Sequence, residues 1–156
     1  MTTPGRMSGM RMSDAGLELL MEREGCVLRP YRDSRGIWTD GVGNTSGVTP
    51  DGPPITREKA MADLRRNLEG VEAALSQVRV PLEQFQHDAL GSFVFNVGAG
   101  AFRESTLLRL INEGDFDGAA AQFDHWHIPP EIASRRNGER EQFKGTRFEA
   151  RIEEGA

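Results

Sequence analysis

Apolar positions along the chain change period several times, and each change marks an element. From Ser13, Leu17, Leu20, Met21 and Glu24 recur at i, i+3, i+4 and i+7, which predicts a helix capped by Ser13 and stopped at Gly25. Glu24 shares the face of the apolar residues, so it is expected to look inward. Residues 26 to 55 are broken by glycines at 36, 41, 43, 47 and 52 and prolines at 30, 50, 53 and 54. The run Ser34-Arg35-Gly36 is expected to be a tight turn between two short strands of a small antiparallel sheet of two or three strands. Strand alternation then points Ile37, Thr39 and Gly41 one way and Trp38 and Asp40 the other.

Thr56 is expected to cap a long helix running to about residue 78. Its stripe is Met61, Leu64, Leu68, Val71, Leu75 and Val78, a heptad seam shorter than a coiled coil needs. At 1.5 Å per residue such a helix runs about 33 Å and would connect two lobes of a monomer. Beyond it the pattern is helical: Leu82 to about Val97, closed by Gly98 and Gly100; Thr106 to Glu113, capped by Ser105; and a segment from Asp115 through Trp126. Pro129 and Pro130 are placed to open a last helix ending near Phe143. The fold class is α+β, with the sheet segregated near the amino terminus. The expected organisation is a disordered tail over 1–12 and one domain over 13–156. Within it a sheet lobe spans about 13–55, a linking helix about 56–78, a helical lobe about 79–144 and a loose tail 145–156.

Composition narrows the class. The chain has 156 residues, 37% of them hydrophobic and 28% charged, enough for one domain with a real core. No apolar run approaches the roughly 20 residues of a membrane span, and no secretory signal is visible. The formal net charge of −5 argues against nucleic acid as a partner. Arg135, Arg136, Arg140, Lys144, Arg147 and Arg151 alternate with glutamates and read as a solvated helix surface. The lone Cys26 can form no internal disulfide, and no basic partner is near in sequence to activate it. His125 and His127 lack a nearby third metal ligand, and the glycines of Gly41 to Gly47 are not spaced as a dinucleotide fingerprint, so neither a metal nor an organic cofactor is expected.

Two carboxylates and a hydroxyl stand out between Glu24 and Asn44. An inward Glu24 at a helix carboxyl terminus would be desolvated and exposed to the negative end of the helix dipole, and both effects raise its pKa. Asp33, before a polar turn, should stay ionised, and Thr39 could hold a water between itself and Asp33. Glycoside hydrolysis uses such a pair, though carboxylates near turns suit other roles too.

Here the chain resembles a known family. Glu-Gly followed by Leu, then Tyr-x-Asp, x-x-Gly and x-Thr-x-Gly-x-Gly, is similar to the active-site signature of phage-type lysozymes, the endolysins of glycoside hydrolase family 24. Glu24 and Asp33 are nine residues apart, Asp33 and Thr39 six, as in that signature. Residues 93–123 resemble the family's central helical segment and residues 129–143 its closing Pro, Arg-Arg, Glu helix, so the likeness covers about residues 13 to 144. It implies a lysozyme-like fold and a muramidase cutting the β-1,4 bond between N-acetylmuramic acid and N-acetylglucosamine, with inversion, for host lysis by a phage. Glu24 would be the general acid, Asp33 the carboxylate that activates water, and Thr39 the water holder. Phe95, Asn96, Ser105, Gln122 and Asn44 would contact substrate. Arg135 or Arg136 would pair with Glu24, opposing the desolvation effect and leaving its net pKa open.

Two departures accompany the likeness. Asp40 and Asn44 stand where many members have isoleucine and histidine, and Asn44 bears on substrate contacts more than on chemistry. The resemblance also implies a monomer that acts on bacterial peptidoglycan, without stable membrane insertion. It would wait in the host cytoplasm until a holin opens the route to the periplasm and cell wall. The alternatives are a catalytically silent peptidoglycan-binding module on this fold, or a virion-associated or effector muramidase.

Overall fold

The computed structural model describes residues 10–126 and 130–145. The expectations for residues 1–9, for His127 and Pro129, and for the tail beyond Gly145 with Arg147 and Arg151 fall outside the described residues. The described residues divide into two compact units, one of residues 17–69 and one of residues 10–16 with 70–126 and 130–145.

Helix α1, Asp14–Glu24, begins where expected, because the Ser13 hydroxyl accepts the Gly16 N–H at 3.0 Å. In the 17–69 unit it buries Leu17, Leu20 and Met21. Strands β1, Val27–Arg32, and β2, Trp38–Gly41, follow as an antiparallel pair. Tyr31 is opposite Thr39, Arg32 opposite Trp38 and Val27 opposite Gly41, with a register shift between Val27 and Tyr31. The sheet has two strands; beyond it, Asp40 and Asn44 form an isolated bridge. Helix α2, Arg57–Asn67, is capped by the Thr56 hydroxyl, which accepts the Lys59 N–H at 3.0 Å. It packs on β2, where Gly41 has a φ of +56° and a side chain would meet Ala60 at 3.5 Å. The positive φ is what favours glycine there, since 3.5 Å is an ordinary contact.

The single helix expected over 56–78 is two helices. The N–H of Leu68 turns back to the Arg65 and Arg66 carbonyls, and helix α3 then runs Glu69–Leu75. Leu64, Leu68 and Leu75 are all buried. The heptad stripe therefore reported burial correctly and backbone continuity wrongly. Gly70, a poor helix former, sits just after the break.

The other unit is helical. Its elements are α4, Gln84–Val97; α5, Ala99–Arg103; α6, Thr106–Asn112; α7, Phe116–Gln122; and α8, Ala133–Lys144, with 3₁₀ turns at Phe123–Trp126 and Pro130–Ile132. Gly100, expected to close α4, lies inside α5. Ser105 caps α6 and Asp115 caps α7 through their side chains, as the sequence predicts. The core gathers Leu90, Phe93, Phe102, Leu107, Ile111, Phe123 and Phe143. Phe93 meets Phe123 edge to face with centroids 5.2 Å apart. The chain before α1 is tied to α4 and α3: Asp88 of α4 accepts the Ser13 N–H at 2.9 Å and Glu72 of α3 accepts the Met12 N–H at 2.9 Å. Glu72 also meets His87 Nε2 at 2.8 Å.

Candidate active site

Asp33 and Thr39 are brought together by one residue, Ile37. The Ile37 N–H donates to Asp33 Oδ1 at 2.9 Å, and the Ile37 carbonyl accepts the Asp33 N–H at 2.9 Å. The same carbonyl accepts the Thr39 hydroxyl at 2.8 Å. Arg35 adds its own N–H to Asp33 Oδ1 at 2.8 Å and its guanidinium to Oδ2 at 3.4 Å. An aspartate bonding the backbone two residues on is the usual chemistry of such a turn. The Ile37 amide, with the Arg35 amide and guanidinium, holds the Asp33 carboxyl below the ordinary carboxylate range against a smaller opposing effect of burial. Asp33 is therefore a carboxylate at any pH near neutral. Thr39 is buried, and its only proton is committed to Ile37, so its oxygen can act toward a third group only as an acceptor.

Glu24 corrects one expectation. It is the last residue of α1 and is exposed, so the desolvation expected of an inward face does not apply. The apolar stripe ends one turn earlier, at Met21, because the helix stops before another turn can pack.

Asn44 is corrected as well. It is 2% exposed, and its side-chain amide donates to Asp40 Oδ1 at 3.0 Å and to the Ser46 carbonyl at 3.2 Å. Its amide oxygen accepts from Asn67 at 3.1 Å. Backbone bonds of 2.9 Å in both directions join Asp40 and Asn44. A side chain buried and bonded this way ties the loop after β2 to α2 and is not open to a polymer. The two departures from the family signature are thus partners of each other. Their i, i+4 spacing around two glycines was the available signal. Beside them, burial pushes the Cys26 thiol up, outweighing the pull of Arg57, which suits an inert thiol.

The remaining predicted positions lie in the helical unit. Ser105, expected to touch sugar, is buried and spends its hydroxyl on the fold: it donates to the Phe102 carbonyl at 2.7 Å and accepts the Leu108 N–H at 3.0 Å. Phe95 and Gln122 are half-buried at the carboxyl-terminal ends of α4 and α7. Asn96 is exposed, and its side-chain oxygen accepts from Arg136. Arg135 and Arg136 flank Glu139, which is fully buried. Arg135 Nε reaches Glu139 Oε2 at 3.0 Å and Arg136 binds Oε1. Ser92 donates to Oε2 at 2.6 Å, and Arg136 Nε donates to the Trp126 carbonyl at 2.9 Å. This network was not foreseen; the run Arg135-Arg136-Asn137-Gly138-Glu139 carried its i, i+3 and i, i+4 signal.

Residues 21–139 match the sequence profile of the phage lysozyme family. The chain belongs to the phage lysozyme family. The match takes in Glu24, Asp33 and Thr39 together with the Glu139 network. This lysozyme is 43% identical over 143 residues to the endolysin of Salmonella phage P22, covering 86% of the chain and 98% of that protein. It is 45% identical over 118 residues to an endolysin of Acyrthosiphon pisum secondary endosymbiont phage 1, covering 75% of the chain and 80% of that protein. Among solved structures, a P22 lysozyme mutant superposes with a TM-score of 0.80 at 41% identity, covering 86% of this chain and 98% of that one. The fold is the α+β lysozyme fold, and the protein is a lysozyme-type glycosidase of the phage endolysin group, a muramidase of host lysis whose substrate is peptidoglycan.

Proposed function

We propose that Glu24, Asp33 and Thr39 carry out the hydrolysis, and that it proceeds with inversion at the anomeric carbon. The observation that supports this most is the sharing of Ile37 by Asp33 and Thr39. Thr39 can only accept from a water, and Asp33 is an ionised acceptor whose Oδ2 keeps lone-pair capacity toward solvent. A water that gives one proton to each turns its own lone pair outward, toward an anomeric carbon. As the water oxygen bonds to that carbon, the glycosidic C–O bond breaks and its electrons go to the leaving oxygen. Glu24 gives that oxygen a proton, and Asp33 takes one from the attacking water. Exposed Glu24 then regains a proton from solvent, and Asp33 releases to solvent the one it took.

On the helical unit, Phe95, Asn96 and Gln122 are the candidates for contact with the polymer; Asn44 and Ser105 act on the fold instead. The protein acts as a monomer and waits in the host cytoplasm until a holin-type lesion admits it to the wall.

The test is digestion of purified peptidoglycan followed by NMR within the first turnovers. The wild type releases α-anomeric reducing ends first, and Glu24→Gln or Asp33→Asn slows release at least about 10²-fold. A β-anomer appearing first refutes inversion. A fully active Glu24→Gln refutes the assignment of the acid. Binding to sacculi without new reducing ends from the wild type would instead mark a silent module.

A further inference from the structure

Among the described residues, the exposed large hydrophobic side chains are Val27, Leu28, Tyr31 and Ile37, at 43%, 38%, 36% and 40%. All of them lie on the β1–β2 hairpin. Scattered exposed apolar residues are ordinary, but concentration in one element marks an interaction surface. The same hairpin carries exposed Arg29, Arg32 and Arg35, and of its two acids, Asp33 and Asp40, Asp40 is buried, in a chain of net charge −5. Arg32 lies over the Trp38 ring, 5.3 Å from its centre, which keeps the guanidinium and the indole in one place.

We propose that this hairpin docks the protein on an anionic phospholipid bilayer. Branched aliphatics such as Val27, Leu28 and Ile37 offer neither a flat ring for a pyranose to stack on nor a hydrogen bond for its hydroxyls. They suit the acyl boundary, while arginines suit headgroup phosphates and Tyr31 and Trp38 suit the interface between them. Two short strands are too little to insert stably, so the association is reversible and electrostatically assisted. This goes beyond the hydrolysis proposed above and does not depend on it. The surface does include Asp33, so docking on lipid and engagement of glycan compete.

The experiment is co-sedimentation of the full chain with phosphatidylglycerol and phosphatidylcholine vesicles, with Leu28→Ser and Arg29→Gln as variants. Both residues lie outside the hydrolytic set. The wild type binds phosphatidylglycerol at low salt and releases at high salt, with little binding to phosphatidylcholine. Arg29→Gln lowers the partition coefficient about fivefold, the effect of one surface arginine, and Leu28→Ser also weakens it. Hydrolysis of lipid-free peptidoglycan is unchanged in both variants. If Leu28→Ser does not fold, Arg29→Gln, at an exposed position, still decides. Failure of the wild type to bind phosphatidylglycerol overturns the proposal. So do variants that cleave peptidoglycan more slowly with unchanged vesicle binding, which would make the hairpin a reader of the wall polymer. Pelleting without vesicles overturns it in favour of a second copy of the chain.

Discussion

At the level of single side chains, the charge of Asp33 is set by two peptide N–H groups and a neighbouring guanidinium rather than by burial. Its folded pKa lies below the ordinary 3.8, so the bonds it makes stabilise the fold above that value and are lost as pH falls through the folded pKa. Carboxyl-carbon NMR titration should find its midpoint below 3.8, and Arg35→Ala should move it up toward that value. A midpoint above 3.8 in the wild type would contradict this account. Asp40 and Asn44 form the second residue-scale unit. Asn44→His removes the amide that serves Asp40 and Asn67 from a buried position, at a cost of about 1–3 kcal/mol. Because the residues touch, Asp40→Ile and Asn44→His should not add: a double-mutant cycle by thermal unfolding should give a coupling of at least about 0.5 kcal/mol.

Two helices show the same substitution acting with opposite signs. In α3, Gly70 faces open space, and Gly70→Ala should stabilise by about 1 kcal/mol through helix propensity alone. In α1, a Cβ at Gly16 would overlap the Asp88 carboxyl group. Gly16→Ala therefore has to displace the carboxylate that receives Ser13 and Gln84, and should destabilise by about 1–3 kcal/mol despite the better propensity. Urea unfolding of the two variants checks both signs. Burial also raises the Asp88 pKa, more than its bonds from Ser13 and Gln84 lower it. That contribution to stability is complete below the unfolded pKa and fades as pH rises through the folded one.

For the molecule as a whole, Glu139 serves two arginines at once from a fully buried position. Replacing a buried ion network can be neutral when every member becomes apolar, but removing one partner strands the others. Glu139→Gln should lower stability by about 3–5 kcal/mol, measured by denaturant unfolding. A loss under 1 kcal/mol would mean that the arginines reach other acceptors. The same network binds Ser92 of α4 and the Trp126 carbonyl to α8, and Arg136 stacks over Phe93 at 5.1 Å. Its loss should therefore be felt across the helical unit rather than in α8 alone.

Much was legible from one dimension. Local rules placed the caps at Ser13, Thr56, Ser105 and Asp115, because a capping side chain bonds a backbone N–H three residues away, within reach of short-range pattern. Strand alternation and turn chemistry placed Asp33 and Thr39 at one end of a hairpin for the same reason. What sequence could not decide depends on partners distant along the chain or on where an element ends. Helix phase turned Glu24 inward, but the fold ends α1 there and leaves it exposed. The heptad stripe promised one long helix, yet a hydrophobic period fixes which side is buried and not whether the backbone runs unbroken. Asn44 and Ser105 looked available for substrate until bonds to Asp40, Asn67 and Phe102 occupied them. Periodicity reports which residues face a core; only the tertiary structure assigns each polar group its partner, and so its availability for chemistry.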